Sequence, residues 1–113
     1  MTISTFYNRV VFIASNIGTG SFVVLDPAPG SRTPAQASIP NGTVVSYTAV
    51  TVDVNQWECG QGAYSSGSLS RTTIRDSSNN GLVVSFNIAP TVQLDYHAQD
   101  IANVQGVAPG DAA

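Results

Sequence analysis

Apolar residues along this chain fall in short runs rich in Val, Ile, Phe and Tyr, separated by clusters of Gly, Pro, Asn and Ser. Such runs are strand-like, and the clusters between them are turn chemistry. The pattern predicts strands over residues 7–14, 21–25, 44–52, 56–64, 69–76, 82–88 and 91–96. Turns are expected at 16–20, at Asp26-Pro27-Ala28-Pro29-Gly30, at Asn41-Gly42, at 53–55, at Ser65-Ser66-Gly67 and over 77–81. Residues 31–40 are expected as a loop or a short edge segment. Val84, Phe86 and Ile88 alternate with Val83, Ser85 and Asn87, and Val92, Leu94 and Tyr96 alternate with Thr91, Gln93 and Asp95. That period of two marks a strand with one buried face.

No segment carries apolar residues at i, i+3, i+4 and i+7 over three turns, so the pattern predicts no helix. Short antiparallel strands must cover one another's apolar faces. The expected fold is therefore all-β: a six- to seven-stranded antiparallel β-sandwich or small barrel, one domain over residues 1–98. Residues 99–113 have small side chains, Pro109-Gly110 and no periodicity. They are expected as a C-terminal arm, either disordered or extended along a neighbouring subunit.

Composition narrows the function. The chain has 113 residues, 10% of them charged, no lysine, four arginines and a net charge of −3. Nucleic-acid binding relies on clustered basic side chains, so no such partner is expected. No apolar run approaches the ~20 residues of a membrane helix, and Met1 to Phe6 lack the features of a secretory signal, so a soluble chain is expected. Cys59 is the only cysteine, which excludes an intrachain disulfide and fits assembly in a reducing compartment.

Candidate chemistry is sparse. His97, the only histidine, lies near Asp95 and Asp100, but no serine sits in a nucleophile elbow. Asp95 and His97 read as a solvent-facing polar pair near a strand end. One His and one Cys fall short of a metal site, and no cofactor is expected. Asp26, Asp53 and Asp76 sit at turns, where Asp caps its own backbone. The Ile17-Gly18-Thr19-Gly20 stretch lacks a following Lys and reads as a hairpin turn. The Asn41-Gly42-Thr43 sequon means little without a secretory route. Trp57 and Cys59 share a strand face and are expected to plug the core, with the Gly60-Gln61-Gly62 step admitting a close backbone or a bulge. No residue is expected to be catalytic.

The segment Gln56-Trp57-Glu58-Cys59-Gly60-Gln61-Gly62-Ala63-Tyr64, with Gly67, Leu69-Ser70-Arg71 and Ser77-Ser78-Asn79-Asn80-Gly81, resembles a small domain of tailed-bacteriophage structural proteins. That family's pattern reads roughly W-E-x-G-x-G-x-Y, a Ser/Gly turn, L-x-R and S-S-x-x-G. Trp57, Glu58, Gly60, Gly62, Tyr64, Leu69, Arg71, Ser77, Ser78 and Gly81 match it. Tyr7, Arg9, Val10 and Gly18-Thr19-Gly20 resemble its opening strand and first turn, so the similarity spans about residues 5 to 98. The chain departs from the pattern at Cys59 (usually Val), at Asp53-Val54 (usually Asp-Gly) and at Tyr96-His97-Ala98 (often aromatic-Pro-Ala).

The resemblance implies a non-catalytic virion component. The expectation is a capsid decoration (cement) protein on the outer capsid surface, assembled in the bacterial host cytoplasm. It would act as a trimer that bridges subunits of the major capsid protein. Glu58 and Arg71 would orient the hairpin turn. Tyr64, Gln99, Ile101, Val104 and Val107 are the candidate partner contacts. The alternative is a tail or fibre-base component that binds a receptor or polysaccharide through exposed aromatics, Tyr64 foremost.

Overall fold

The computed structural model describes residues 7–95 and His97, and these form an all-β structure. Its strands are β1 (Val11–Ala14), β2 (Phe22–Pro27), β3 (Thr43–Val50), β4 (Trp57–Ser65), β5 (Ser68–Leu69), β6 (Thr73–Ser77) and β7 (Thr91–Leu94). All pairings between them are antiparallel. They run β3–β7–β1–β2–β5–β4, and β4 pairs back onto β3, so the sheet closes as in a small barrel. The remaining strand, β6, lies beside β4. The longest ladder joins β3 to β4 without interruption, from Thr43 opposite Tyr64 to Val50 opposite Trp57.

The interior follows the period of two. Phe12 and Ala14 of β1, Val45, Tyr47 and Ala49 of β3, and Val92 and Leu94 of β7 all face inward and are buried. Phe22, Leu69, Val84 and Phe86 complete the centre. Loop 15–21, turn 51–56 and segment 78–90 gather at one end of the ring. Segment 28–42 and the turn at Ser66-Gly67 stand toward the other. Both central residues of that last turn have positive φ, 49° and 82°, as a two-residue hairpin of this hand requires.

Three expectations from the sequence need correction. The first strand begins at Val11, because Arg9 adopts a left-handed φ of 56° that interrupts extended backbone. The strand expected over 69–76 divides into β5 and β6, because Arg71 between them turns into the barrel. The backbone still follows β4 through the break: Ser70 N donates to Ala63 O and Thr72 N to Gln61 O. Residues 82–88 are not a strand. They cross the end of the ring, bridged to Gly18 at Phe86 and held by the Gln56 amide, which donates to Ser85 O and accepts from Asn87 N. Val84 and Phe86 point inward as an end plug, so the alternation reported burial and not a ladder; Ile88 is exposed. Residues 31–40 are a loop, as expected, in which Thr33 and Gln36 exchange backbone-to-side-chain bonds as a capping box and the single turn that follows buries Pro34 and Ile39.

Two glycines are required by close approach. A Cβ on Gly60 would stand 2.3 Å from the Thr73 carbonyl oxygen and 2.8 Å from the Tyr47 hydroxyl. One on Gly62 would stand 1.7 Å from the Ser70 carbonyl oxygen. Neither backbone neighbour can withdraw without opening the ladder to β5 and β6. Gly62→Ala is therefore expected to lose several kcal/mol, about the upper range for single substitutions. Gly20→Ala, with open space around the added methyl, should stay within about 1 kcal/mol of wild type. Urea unfolding of the two variants checks the contrast.

Candidate functional site

Three polar or apolar constellations stand out, and the most ordered is inside the barrel. Glu58 is fully buried on β4, and Arg71 meets it with 3% of its side chain exposed. Arg71 Nη2 donates to Glu58 Oε1 at 2.5 Å and Nε donates to Oε2 at 2.8 Å. Oε2 also accepts from the Tyr47 hydroxyl, and Oε1 from the Val84 backbone N–H. The other guanidinium donors reach the carbonyls of Gly18, Gly20 and Val84. All five N–H groups of the arginine and the four principal acceptor positions of the carboxylate are thus engaged. The guanidinium lies over the rings of Phe22 and Phe86, 4.7 and 5.2 Å from their centroids. Burial, then the bond to Glu58, push the Tyr47 phenol above its ordinary value.

The sequence expectation for this region therefore changes on three points. Trp57 and Cys59 do share a face, but it is the outer one, where both are half-buried. The inward face carries Glu58, Gly60, Gly62 and Tyr64. Glu58 and Arg71 do more than orient a turn: they form the centre of the core. Tyr64 is 5% exposed and its hydroxyl accepts from Gly67 N, so the aromatic proposed for partner contact is a core residue. Gly81 sits at φ 80° in the loop after β6, and Leu69 is buried. Gln99, Ile101, Val104 and Val107 lie outside the described residues, as do Tyr96 and the arm.

A second cluster lies on the outer wall. Asp95 N donates to Ser46 O, which lays the chain after β7 against β3. His97 is half-buried there, not solvent-facing. Arg75 Nη1 donates to His97 Nδ1 at 3.1 Å and to Ser46 Oγ at 3.1 Å. Arginine cannot accept, so a neutral His97 carries its proton on Nε2, which stands 3.5 Å from Thr48 Oγ1. Thr48 Oγ1 in turn lies 3.5 Å from Cys59 Sγ. These groups fasten a segment to a sheet; no direct bond joins His97 to the thiol. Among the described residues no group of three His, Cys, Asp or Glu converges as metal ligands.

The third feature is the end closed by segment 82–88, which sequence reasoning overlooked. Ile17, Val52, Val54, Leu82, Val83 and Ile88 are all exposed there. Its loops carry one charged residue, Asp53, whose carboxylate accepts from the Thr51 hydroxyl and Asn55 N; those bonds hold its pKa below the ordinary value. Val54 adopts φ 54° with 71% of its surface exposed. The signal was present in the turn itself, where β-branched Val54 stands between Asp53 and Asn55.

Comparison with protein-family models, curated proteins and solved structures finds no match.

The core network makes two predictions. Glu58→Gln preserves shape but leaves a buried guanidinium charge uncompensated, and should cost about 3–5 kcal/mol in urea unfolding; Tyr47→Phe should cost about 1.5–3 kcal/mol. Because the folded pKa of Tyr47 is raised, its contribution is fully present below the unfolded value of about 10 and is lost as pH rises beyond it. An absorbance titration should show a phenolate that appears only on alkaline unfolding, and Tyr47→Phe should remove that step.

Proposed function

We propose that this chain is a non-catalytic virion structural protein of a tailed bacteriophage, and within that class a capsid decoration protein bridging neighbouring capsid subunits. Two observations support the structural class. The resembled pattern falls largely on scaffold positions: Glu58, Arg71, Gly60, Gly62, Tyr64 and Leu69 form or admit the core contacts described above. Its most strongly interacting titratable groups are bonded to one another and to backbone, away from solvent.

The observation that carries the reading is Val54. A β-branched residue in left-handed backbone is strained by of order 1–2 kcal/mol, and an exposed side chain returns nothing to the fold. It stands among five other exposed apolar residues on an end whose single charge is already engaged. Such a surface suits docking onto another protein. A bridge of standard size buries ~1,600 Å² in total, and many such bridges on one lattice reinforce each other. In this proposal the partner is the major capsid protein and the decorating unit is a trimer.

Val54→Gly should relieve the strain and leave the protein as stable as wild type or more so, while Val54→Asp should be tolerated equally well in isolation. Both should lower occupancy on decoration-free phage heads in a co-sedimentation assay. Undiminished occupancy of both variants would remove this end from the contact. Copy number tests the rest: a decoration protein covers the head, whereas confinement to a few copies at the tail would overturn the capsid assignment. Deletion of residues 100–113 should leave folding intact and weaken attachment, which tests the arm separately.

A further inference from the structure

The opposite end of the molecule carries a different surface. Four arginines and no lysine make up the strong cations of this acidic chain. Arg71 is buried, and Arg75 is bonded on the wall. The other two, Arg9 and Arg32, are brought side by side where the segment before β1 meets the one after β2. Val10 and Arg32 form a parallel bridge, with Arg32 N donating to Arg9 O and Val11 N to Arg32 O. The side chains then cross between the two segments. Arg9 Nε and Nη2 donate to Gly30 O, at 2.9 and 2.5 Å, and Arg32 Nε donates to Asn8 O at 3.0 Å. Asn8, Arg9, Gly30, Ser31 and Arg32 line an open groove of about 280 Å³.

This arrangement fixes both guanidinium groups by their Nε edges and leaves Nη1 of Arg9 and both Nη atoms of Arg32 without an acceptor among the described residues. Neither has a carboxylate partner there, although the chain carries more acids than bases. Their bonds to Gly30 O and Asn8 O clasp the two segments, but the two like charges repel and neither is neutralised by an ion pair among the described residues. Held in place beforehand, however, they present two planar forks whose ordering entropy is already lost. We infer that the groove between Arg9 and Arg32 is an oxyanion site, taking carboxylate or phosphate oxygens on the free Nη donors. The site is independent of the capsid proposal and lies at the other end of the ring from Val54.

The test is a ¹⁵N NMR titration of the arginine Nε resonances in the full chain, with inorganic phosphate in one arm and the blocked dipeptide N-acetyl-Asp-Asp-amide in the other. At least one probe should shift Arg9 and Arg32 saturably while leaving Arg71 unmoved, and binding should weaken markedly from roughly 20 to roughly 200 mM NaCl as screening shortens the range of the charges. Saturation by phosphate assigns a small free anion; saturation by the dipeptide only assigns the acidic side chains of a polypeptide. Arg9→Gln and Arg32→Gln should each weaken binding, with thermal unfolding confirming that they fold. The salt dependence of the wild-type protein decides the matter if they do not. Absence of any saturable shift at about 10 mM of either probe, or shifts indifferent to salt, would overturn the site.

Discussion

The whole barrel is organised around one ion pair removed from water. Burying a carboxylate and a guanidinium costs several kcal/mol per ion unless every lone pair and proton finds a partner. Here they do, and the partners come from every side. Glu58 belongs to β4, Tyr47 to β3, Arg71 to the break between β5 and β6, Gly18 and Gly20 to the first loop, and Val84 to the end plug. A single network therefore ties two irregular segments to the regular sheet. It also explains the irregularities: β5 and β6 separate so that Arg71 can reach inward, and segment 82–88 forgoes a ladder to supply both a donor and an acceptor at Val84.

Much of the ring was legible in the alternation of apolar residues and in turn chemistry. Val92 and Leu94 face inward as their spacing says, and Ser66-Gly67 turns as that residue pair allows. Trp57 and Cys59 misled because large apolar residues are ordinarily the inward ones. A contrary signal was available in parity. Gly60 and Gly62 lie on the same strand face as Glu58, and glycine in a strand marks close approach, which places that face inside. Residues 82–88 misled for another reason: period two reports which side chains are covered, and an extended plug satisfies it without a neighbour strand. Nothing local reveals that Arg9 and Arg32 meet, since their clasp joins segments 21 to 24 residues apart.

The surface divides by chemistry as the interior does not. One end is apolar and nearly uncharged, the other presents paired guanidinium groups, and the wall between them holds the chain after β7 through Arg75, Ser46 and Thr48. Strain at Val54 and at Arg9 falls on the two ends and not on the wall. Backbone held in a costly conformation persists where the surrounding structure over-determines it, and the other non-glycine residues with positive φ, Ser38, Ser66 and Asn80, likewise lie in the connections at the two ends.

Closure has a consequence for life in a crowd. Of the described strands, β6 has a neighbour on one side only, and β2 extends past β5 over residues 25–27; the first edge carries Arg75 and Asp76, the second Asp26 and Pro27. An open, flat edge invites strands of other molecules to add on and template fibres. Two brief edges interrupted by charge and by proline make a poor template. Contacts between copies through the described residues would thus be made by side chains, and an assembly built on them can come apart without a sheet having to be unzipped.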